Sequence, residues 1–201
     1  MPALPRILTI TGPSGVGKTH LANRLPDVFK QCERLPMLTT RQPKKRDGGE
    51  YAYVTAASFD DLERRGILAA VTRVPSRSED RRYGYRAEDI DGIGKRGKVP
   101  VAITDATLLE CFIRRYGRRF VLSIGLLPPG TSHARRLAHL RARMLHRGRE
   151  NPEQIKERLR NAGADLRLLA GRPDLFDFIL VSGEENLLWD ELFVRFASLH
   201  G

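Results

Sequence analysis

The segment Gly12-Pro-Ser-Gly-Val-Gly-Lys18-Thr19 constrains this chain more than any other. It fits G-x-x-x-x-G-K-[ST]. It follows the β-branched run Ile7 to Thr11, and beyond it apolar residues recur with helical spacing at Leu21, Ala22, Leu25 and Val28/Phe29. Strand, glycine loop and helix in that order are the context a phosphate cradle requires. Gly12, Gly15 and Gly17, with Pro13, Ser14 and Val16 between them, let the backbone curl so that several N–H groups and the helix N-terminus point at phosphate oxygens. Lys18 then adds a mobile positive charge for the β- and γ-phosphates, and Thr19 offers a hydroxyl to Mg²⁺. The pattern predicts ATP and Mg²⁺ as ligands and is silent about what accepts the phosphoryl group.

Further strands are expected at Tyr51 to Thr55, Ile67 to Thr72, Val99 to Thr104, Phe120 to Ile124 and Phe176 to Val181. Helices are expected near Ala56 to Arg65, Ala87 to Lys95, Ala106 to Arg115, Thr131 to His146, Pro152 to Ala170 and Asn186 to Leu199. Strands alternating with helices predict an α/β fold with a largely parallel sheet. Two polar, turn-rich stretches, Arg41 to Gly49 and Val74 to Arg82, bracket a strand-rich middle segment that breaks the alternation and reads as an inserted lobe.

Composition narrows the partners. The chain has 201 residues, 41% hydrophobic and 29% charged, which permits a sizeable core and excludes wholesale disorder. Lys+Arg 35 against Asp+Glu 24 leaves a formal net charge of +11, which favours an anionic partner without choosing among nucleic acid, a membrane surface or a phosphorylated small molecule. Cys32 and Cys111 stand far apart with no Cys-x-x-Cys or Cys/His cluster, so a disulfide framework and a structural zinc site are not expected, and a reduced, cytoplasmic setting is. No apolar run approaches the ~20 residues that span a bilayer, and the first residues do not form a signal peptide.

Beyond the loop, ordered motifs resemble those of the guanylate kinases. The loop itself matches that family's version, Pro and Ser included. Thr39-Thr-Arg41-Gln-Pro-Lys44 resembles its T-T-R-x-P-R segment, and Glu50-Tyr51-Ala-Tyr53-Val-Thr55 with Phe59 is similar to D-Y-x-F-V-[ST]-x-x-x-F. Tyr83-Gly84 stands for the Y-G that closes the lobe, while Arg143-Met-Leu-His-Arg147-Gly148 and Arg158-Leu159 resemble the arginines of a lid. The matches run from about Ile7 to Val181. The resemblance implies a P-loop core at 1–40 and 98–201, an acceptor lobe at 41–97 that binds a nucleoside monophosphate, and a lid near 130–160.

It also implies roles. Arg41 and Lys44 would hold the acceptor's phosphate, the guanidinium gripping two oxygens and the ammonium acting as a point charge. Tyr51 and Tyr83 would donate phenolic hydroxyls to the same phosphate; read alone, they are half-buried strand aromatics. Asp105, at the carboxyl end of a central strand, is equally placed to lie near the metal and nucleotide and to cap the helix that begins at Ala106. Eight arginines fall between Arg135 and Arg160. Of these, Arg143, Arg147 and Arg158 match lid positions that would stabilise the transferring phosphoryl group, and the others read as a solvated basic face.

Three departures bear on the acceptor. Aligned on Gly66-Ile-Leu68, the family's guanine-reading Glu is here Ala69, which cannot accept hydrogen bonds from guanine N1–H and its 2-amino group. Extra residues, Val74-Pro-Ser-Arg-Ser-Glu-Asp-Arg-Arg82, precede Tyr83, and Glu79 or Asp80 among them are candidates to replace the lost carboxylate. As part of this second departure, the small hydroxyl residue usual after Y-G is the bulky Tyr85, which would fill space left by a smaller ligand or stack on a different base. The third departure is Arg147-Gly-Arg-Glu150 in place of R-G-T, which resembles the related ribose 1,5-bisphosphate phosphokinases, whereas the Glu50-Tyr51-x-Tyr53 spacing follows guanylate kinases. An ATP-dependent kinase acting on GMP, dGMP or a modified nucleotide is expected first. A sugar-phosphate kinase with the same chemistry is the alternative, and a non-enzymatic binding module is the third reading. Small phosphorylated molecules, and neither membrane nor nucleic acid, are the expected partners.

Overall fold

Among the described residues, apolar runs such as Ile7–Thr11, Val99–Thr104 and Val121–Leu127 become largely buried strands, and runs with helical periodicity become helices with a buried face. The computed structural model describes residues 7–43, 47–74, 80–148, 150–183, 189, 190, 192 and 194. In chain order the elements are β1 (Ile7–Thr11), α1 (Lys18–Val28), β2 (Cys32–Arg34), β3 (Met37–Thr39), β4 (Tyr51–Tyr53), α2 (Ala56–Arg64), β5 (Leu68–Val74), β6 (Arg81–Arg86), α3 (Ala87–Lys95), β7 (Val99–Thr104), α4 (Ala106–Tyr116), β8 (Val121–Leu127), α5 (His133–Arg147), α6 (Pro152–Gly171) and β9 (Phe178–Val181). A five-stranded sheet has the order β2-β7-β1-β8-β9, and a four-stranded sheet the order β4-β3-β6-β5.

Two compact units divide the chain. One is built chiefly from Ile10–Lys18 and the residues from Ser123 onward, the other from Thr19–Leu122 together with the start of β1. In the first, β8 pairs in parallel with β9, and six of the seven β8 residues are buried, as expected for a parallel strand covered on both faces. Helix α5 starts at the Ser132 cap and stops at Gly148, whose left-handed φ of 59° ends the helix cheaply because glycine has no Cβ. Helix α6 opens with an Asn151/Gln154 capping box and Pro152 in its first turn.

In the second unit, β2 runs parallel to β7. The four-stranded sheet combines a parallel β3–β4 pair with antiparallel β3–β6 and β5–β6 pairs. Leu38, Phe59 and Leu68 form the buried cluster beneath it. Gly84 is required there, since a Cβ would come within 3.1 Å of the Phe59 ring and 3.2 Å of the Ala70 carbonyl oxygen.

The α/β class, the parallel sheet and the strand-rich middle segment follow the expectations. Strands β2, β3 and β6 were not anticipated: two are only three residues long. The third, Arg-Arg-Tyr-Gly-Tyr-Arg, is polar and finds its place by pairing with β5. The helix expected at Asn186 to Leu199 lies largely outside the described residues. No described helix is long and apolar enough to cross a membrane.

Candidate active site

The glycine loop sits between β1 and α1, where the pattern placed it. Gly15 and Gly17 take φ values of +90° and +116°, conformations that side chains disfavour. Gly12 is pressed so closely against β8 that a Cβ would lie 2.5 Å from the Leu126 carbonyl oxygen. The loop thus has its shape because these positions carry no side chain. The Lys18 ammonium folds back on the loop and donates to the carbonyls of Gly12 and, at 3.0 Å, of Pro13. Thr19 is exposed at the start of α1.

Two of the three expected lid arginines come down on this loop. Arg143, on α5, donates from Nη1 to the Val16 carbonyl at 3.2 Å, and its other terminal nitrogen would be 3.8 Å from a Cβ on Gly17. Arg158, on α6, donates from Nη1 to the Ser14 hydroxyl at 3.2 Å and pairs with the Glu150 carboxylate at 3.0 Å. The Glu150 side chain is 7% exposed, so it holds Arg158 in a partly dehydrated setting where charge attraction is strong. Arg147 is exposed in the last turn of α5.

The second cluster belongs to the other unit and centres on Arg41, which is 8% exposed. Its Nη2 contacts Asp47 Oδ1 at 2.9 Å and its Nη1 donates to the Gln42 carbonyl at 2.8 Å. Its guanidinium carbon lies over the Tyr51 ring at 4.4 Å and 5.6 Å from the Tyr53 ring centre, a geometry in which the ring faces attract the cation. The Tyr53 hydroxyl donates to the other Asp47 oxygen. Burial disfavours the Arg41 charge, but the hydrogen bond and charge of Asp47, with help from Tyr51 and Tyr83, outweigh it and hold the pKa above the usual arginine value. Burial and the Asp47 hydrogen bond push the Tyr53 phenol up to about 12. Asp47 therefore gives one carboxylate oxygen to Arg41 and the other to Tyr53. Sequence reading passed over Asp47 as part of a polar turn. Its position six residues from Arg41, between a basic run and two glycines, carried no distinguishing signal.

Tyr83 lies on β6 opposite Thr39 and Thr72. Ala69 is 8% exposed and occupies the irregularity of β5, where the register shifts between Leu68 and Ala70. Asp105 caps α4, with Oδ1 accepting from the Leu108 N–H at 2.9 Å, and its Oδ2 accepts from the Thr72 hydroxyl at 2.7 Å. Both oxygens of Asp105 are thus engaged within the protein. The stacking role entertained for Tyr85 meets a different environment. The ring is fully buried, packs on Phe112 with centroids 5.5 Å apart, and exchanges two hydrogen bonds with the Ile103 backbone. A ring so enclosed offers no face to a base. The Asp80 carboxylate, one candidate to replace the missing Glu, is paired with Arg82 Nε at 2.6 Å. Lys44 and Glu79 lie outside the described residues.

Loop, sheet order and fold together define a P-loop α/β protein. Comparison with known proteins then places it. The guanylate kinase family model matches residues 4–187. The chain is 30% identical over 186 residues to the guanylate kinase of Chlamydia pneumoniae, covering 90% of this chain and 82% of that protein. The guanylate kinase of Cutibacterium acnes is likewise 30% identical over 186 residues, with coverage of 88% and 82%. In fold it resembles the crystal structure of guanylate kinase from Anaplasma phagocytophilum, with a TM-score of 0.65 at 20% identity over 94% of this chain and 87% of that one. The chain belongs to the guanylate kinase family.

Proposed function

We propose that this protein is an ATP-dependent phosphotransferase that moves the γ-phosphoryl group to a phosphate oxygen of a small phosphorylated acceptor. The observation that carries the reading is the convergence of Lys18, Arg143 and Arg158 on a loop whose glycines leave room for phosphates. Three cations around one such cradle are what a transition state with charge spread over the transferring oxygens requires. No protein nucleophile is needed, because the acceptor's own phosphate oxygen attacks; these residues bind, align and neutralise. Lys18, now resting on two carbonyls, would exchange them for phosphate oxygens. Arg143 and Arg158 would turn from the loop's own oxygens to those of the nucleotide, with Glu150 keeping Arg158 aimed.

Mg²⁺ fits this donor set. Among the described residues no group of three or more His, Cys, Asp or Glu side chains could cage a metal, and Mg²⁺ in kinases is commonly held by one or two protein ligands plus phosphates and water. Thr19 would supply the hydroxyl, and Asp105, at the carboxyl end of β7, is the second candidate. When bound, the ion neutralises charge on the phosphates.

On the acceptor side, Arg41 would receive the phosphate by releasing Asp47, with Lys44, Tyr51 and Tyr83 completing the site. We read residues 41–97 as the acceptor lobe, 1–40 and 98–201 as the core and 130–160 as the lid. The relatives' shared name supports GMP or dGMP as acceptor. A second reading, a sugar bisphosphate, is favoured by Ala69 and by the burial of Tyr85, which remove the means of reading a guanine. The buried thiol of Cys32, which burial pushes up to about 11, and the free Cys111 suit a cytoplasmic setting. The test is a screen of GMP, dGMP, AMP, UMP, CMP and ribose 1,5-bisphosphate with ATP and Mg²⁺, following ADP release. Absence of ADP formation with every acceptor, together with no ATP binding by calorimetry, would overturn the reading.

A further inference from the structure

Two lid arginines reach the glycine loop, and they are held there by different means. Arg158 has the Glu150 carboxylate to aim it. Among the described residues no acidic group pairs with Arg143, and α5, which carries it, has five arginines, three histidines and no acid. Charge alone does not draw such a helix toward a loop that already holds Lys18. Packing supplies the hold. The buried residues of α5 are Leu140 and Met144, one turn apart and therefore on one face, with exposures of 0% and 1%. Both close on the loop: a Cβ on Gly15 would lie 3.2 Å from Met144 Cε, 3.7 Å from its Cγ and 3.8 Å from Leu140 Cδ2. Gly15 thus leaves a notch, and methionine, unbranched and adaptable, fills it.

Met144 and Arg143 are consecutive, so seating the first fixes where the second can go. Side chains of neighbouring helical residues project about 100° apart. With Met144 set against Gly15, the Arg143 side chain passes beside Gly17, where a Cβ would lie 3.8 Å from Nη2, and donates to the Val16 carbonyl. The two positive-φ glycines of the loop therefore serve two lid side chains, Gly15 the apolar anchor and Gly17 the guanidinium. All of these residues belong to one compact unit. A guanidinium held over the loop before nucleotide arrives need only turn its terminal group from a carbonyl to a phosphate oxygen. A charge fixed in advance stabilises a transition state without reorganisation at the moment of reaction. Letting α5 rotate or lift would misplace a charge that is still present.

We propose that Met144 is a positioning residue for phosphoryl transfer: it does not touch the nucleotide, and it acts by anchoring α5 in the Gly15 notch so that Arg143 stands over the loop. This rests on the phosphotransferase reading above, with Arg143 among its cations. The test is a set of steady-state assays of the full chain with ATP, Mg²⁺ and the best acceptor of the screen, run well below the unfolding temperature of every variant. Met144→Ala should lower kcat by about 10-fold to 100-fold, the cost of a misplaced group. KM for ATP should stay within about two-fold, because the lost interaction belongs to the transition state. Met144→Leu, which restores apolar volume, should recover most of the loss. The deciding measurement is a double-mutant cycle. In an Arg143→Ala background, adding Met144→Ala should change kcat by less than about three-fold, because the group it positions is gone. If Met144→Ala does not fold, Met144→Val, apolar but too short to fill the notch, takes its place in both backgrounds. A full Met144 effect that persists without Arg143, or a rise in KM for ATP at unchanged kcat, would overturn the proposal and leave the phosphotransferase reading standing. Absence of turnover by the parent with every acceptor would defeat that reading and the proposal with it.

Discussion

Around the Gly12 to Thr19 loop, the cations answer largely to the backbone: Lys18 rests on the carbonyls of Gly12 and Pro13, and Arg143 on that of Val16. Around Arg41 they answer largely to side chains, with Asp47 in front, Tyr51 beneath, and Tyr53 holding Asp47 from behind. Backbone oxygens are present whatever the residue, so a site made from them needs glycines in the right places and little else. A side-chain network depends on the identity of every member, so one substitution alters what it recognises. That contrast fits where the chain keeps the motifs expected of its family and where it departs from them: the loop pattern is intact, and the residue at 69 is an alanine.

The comparison can be broken most forcefully at Lys18. Lys18→Ala should lower kcat by about 10²–10³-fold, the usual cost of losing one preorganised charge, with a thermal midpoint close to that of the parent. Undiminished turnover would mean that the loop is not where chemistry occurs. Next in size is a pair of glycine substitutions. Gly12→Ala forces a Cβ to 2.5 Å from a backbone oxygen and should cost about 1–3 kcal/mol in urea unfolding. Gly84→Ala, whose nearest neighbour is a ring atom at 3.1 Å, should fall at the low end of that range. Equal losses would remove the distinction between a backbone-built and a side-chain-built site.

A smaller effect is expected at Asp47. Asp47→Asn keeps a hydrogen-bonding group beside Arg41 and Tyr53 but removes the charge that competes with an incoming phosphate. Acceptor KM should therefore fall by about three-fold, the scale of a partly exposed ion pair. A rise would show that Asp47 organises Arg41 and does not merely occupy it. The smallest effect belongs to Tyr53, whose phenol stays protonated up to about 12 in the folded protein. Because the folded pKa is raised above the ordinary value near 10, its contribution is complete below pH ~10 and is lost as pH climbs toward 12. Tyr53→Phe should flatten that alkaline decline in stability, as read by chemical denaturation across the window.

Much of the unit that carries the glycine loop was legible beforehand because its signals are local. A strand, three glycines, a lysine and a helix occupy consecutive positions, and the lid arginines sit on helices whose periodicity is plain. Less of the unit around Arg41 was legible. Strand β6 carries Arg81, Arg82, Tyr83 and Tyr85 in a pattern that resembles a polar loop, and it is a strand because β5 and β3 pair with it on either side. Asp105 was equally readable as a cap or a ligand neighbour; it caps α4 with one oxygen and accepts from Thr72, thirty-three positions away, with the other. Tyr85 read as filling space left by a smaller ligand or stacking on a base; its ring lies in the core, where Ile103 satisfies its hydroxyl and Phe112 packs on it.

By itself the sequence determined that this is an α/β chain with a glycine-rich phosphate loop, since glycine freedom, helix periodicity and apolar strand runs act between near neighbours, and its ordered motifs carried the resemblance to guanylate kinases. It also placed an alanine, Ala69, where the resemblance leads one to expect a carboxylate, because that is a matter of residue type alone. The tertiary structure decided which charged groups meet. Asp47 facing Arg41 and Glu150 paired with Arg158 are consequences of how the folded backbone places these segments. Interactions between side chains fall off within a few ångströms, and only the folded backbone brings distant residues inside that range.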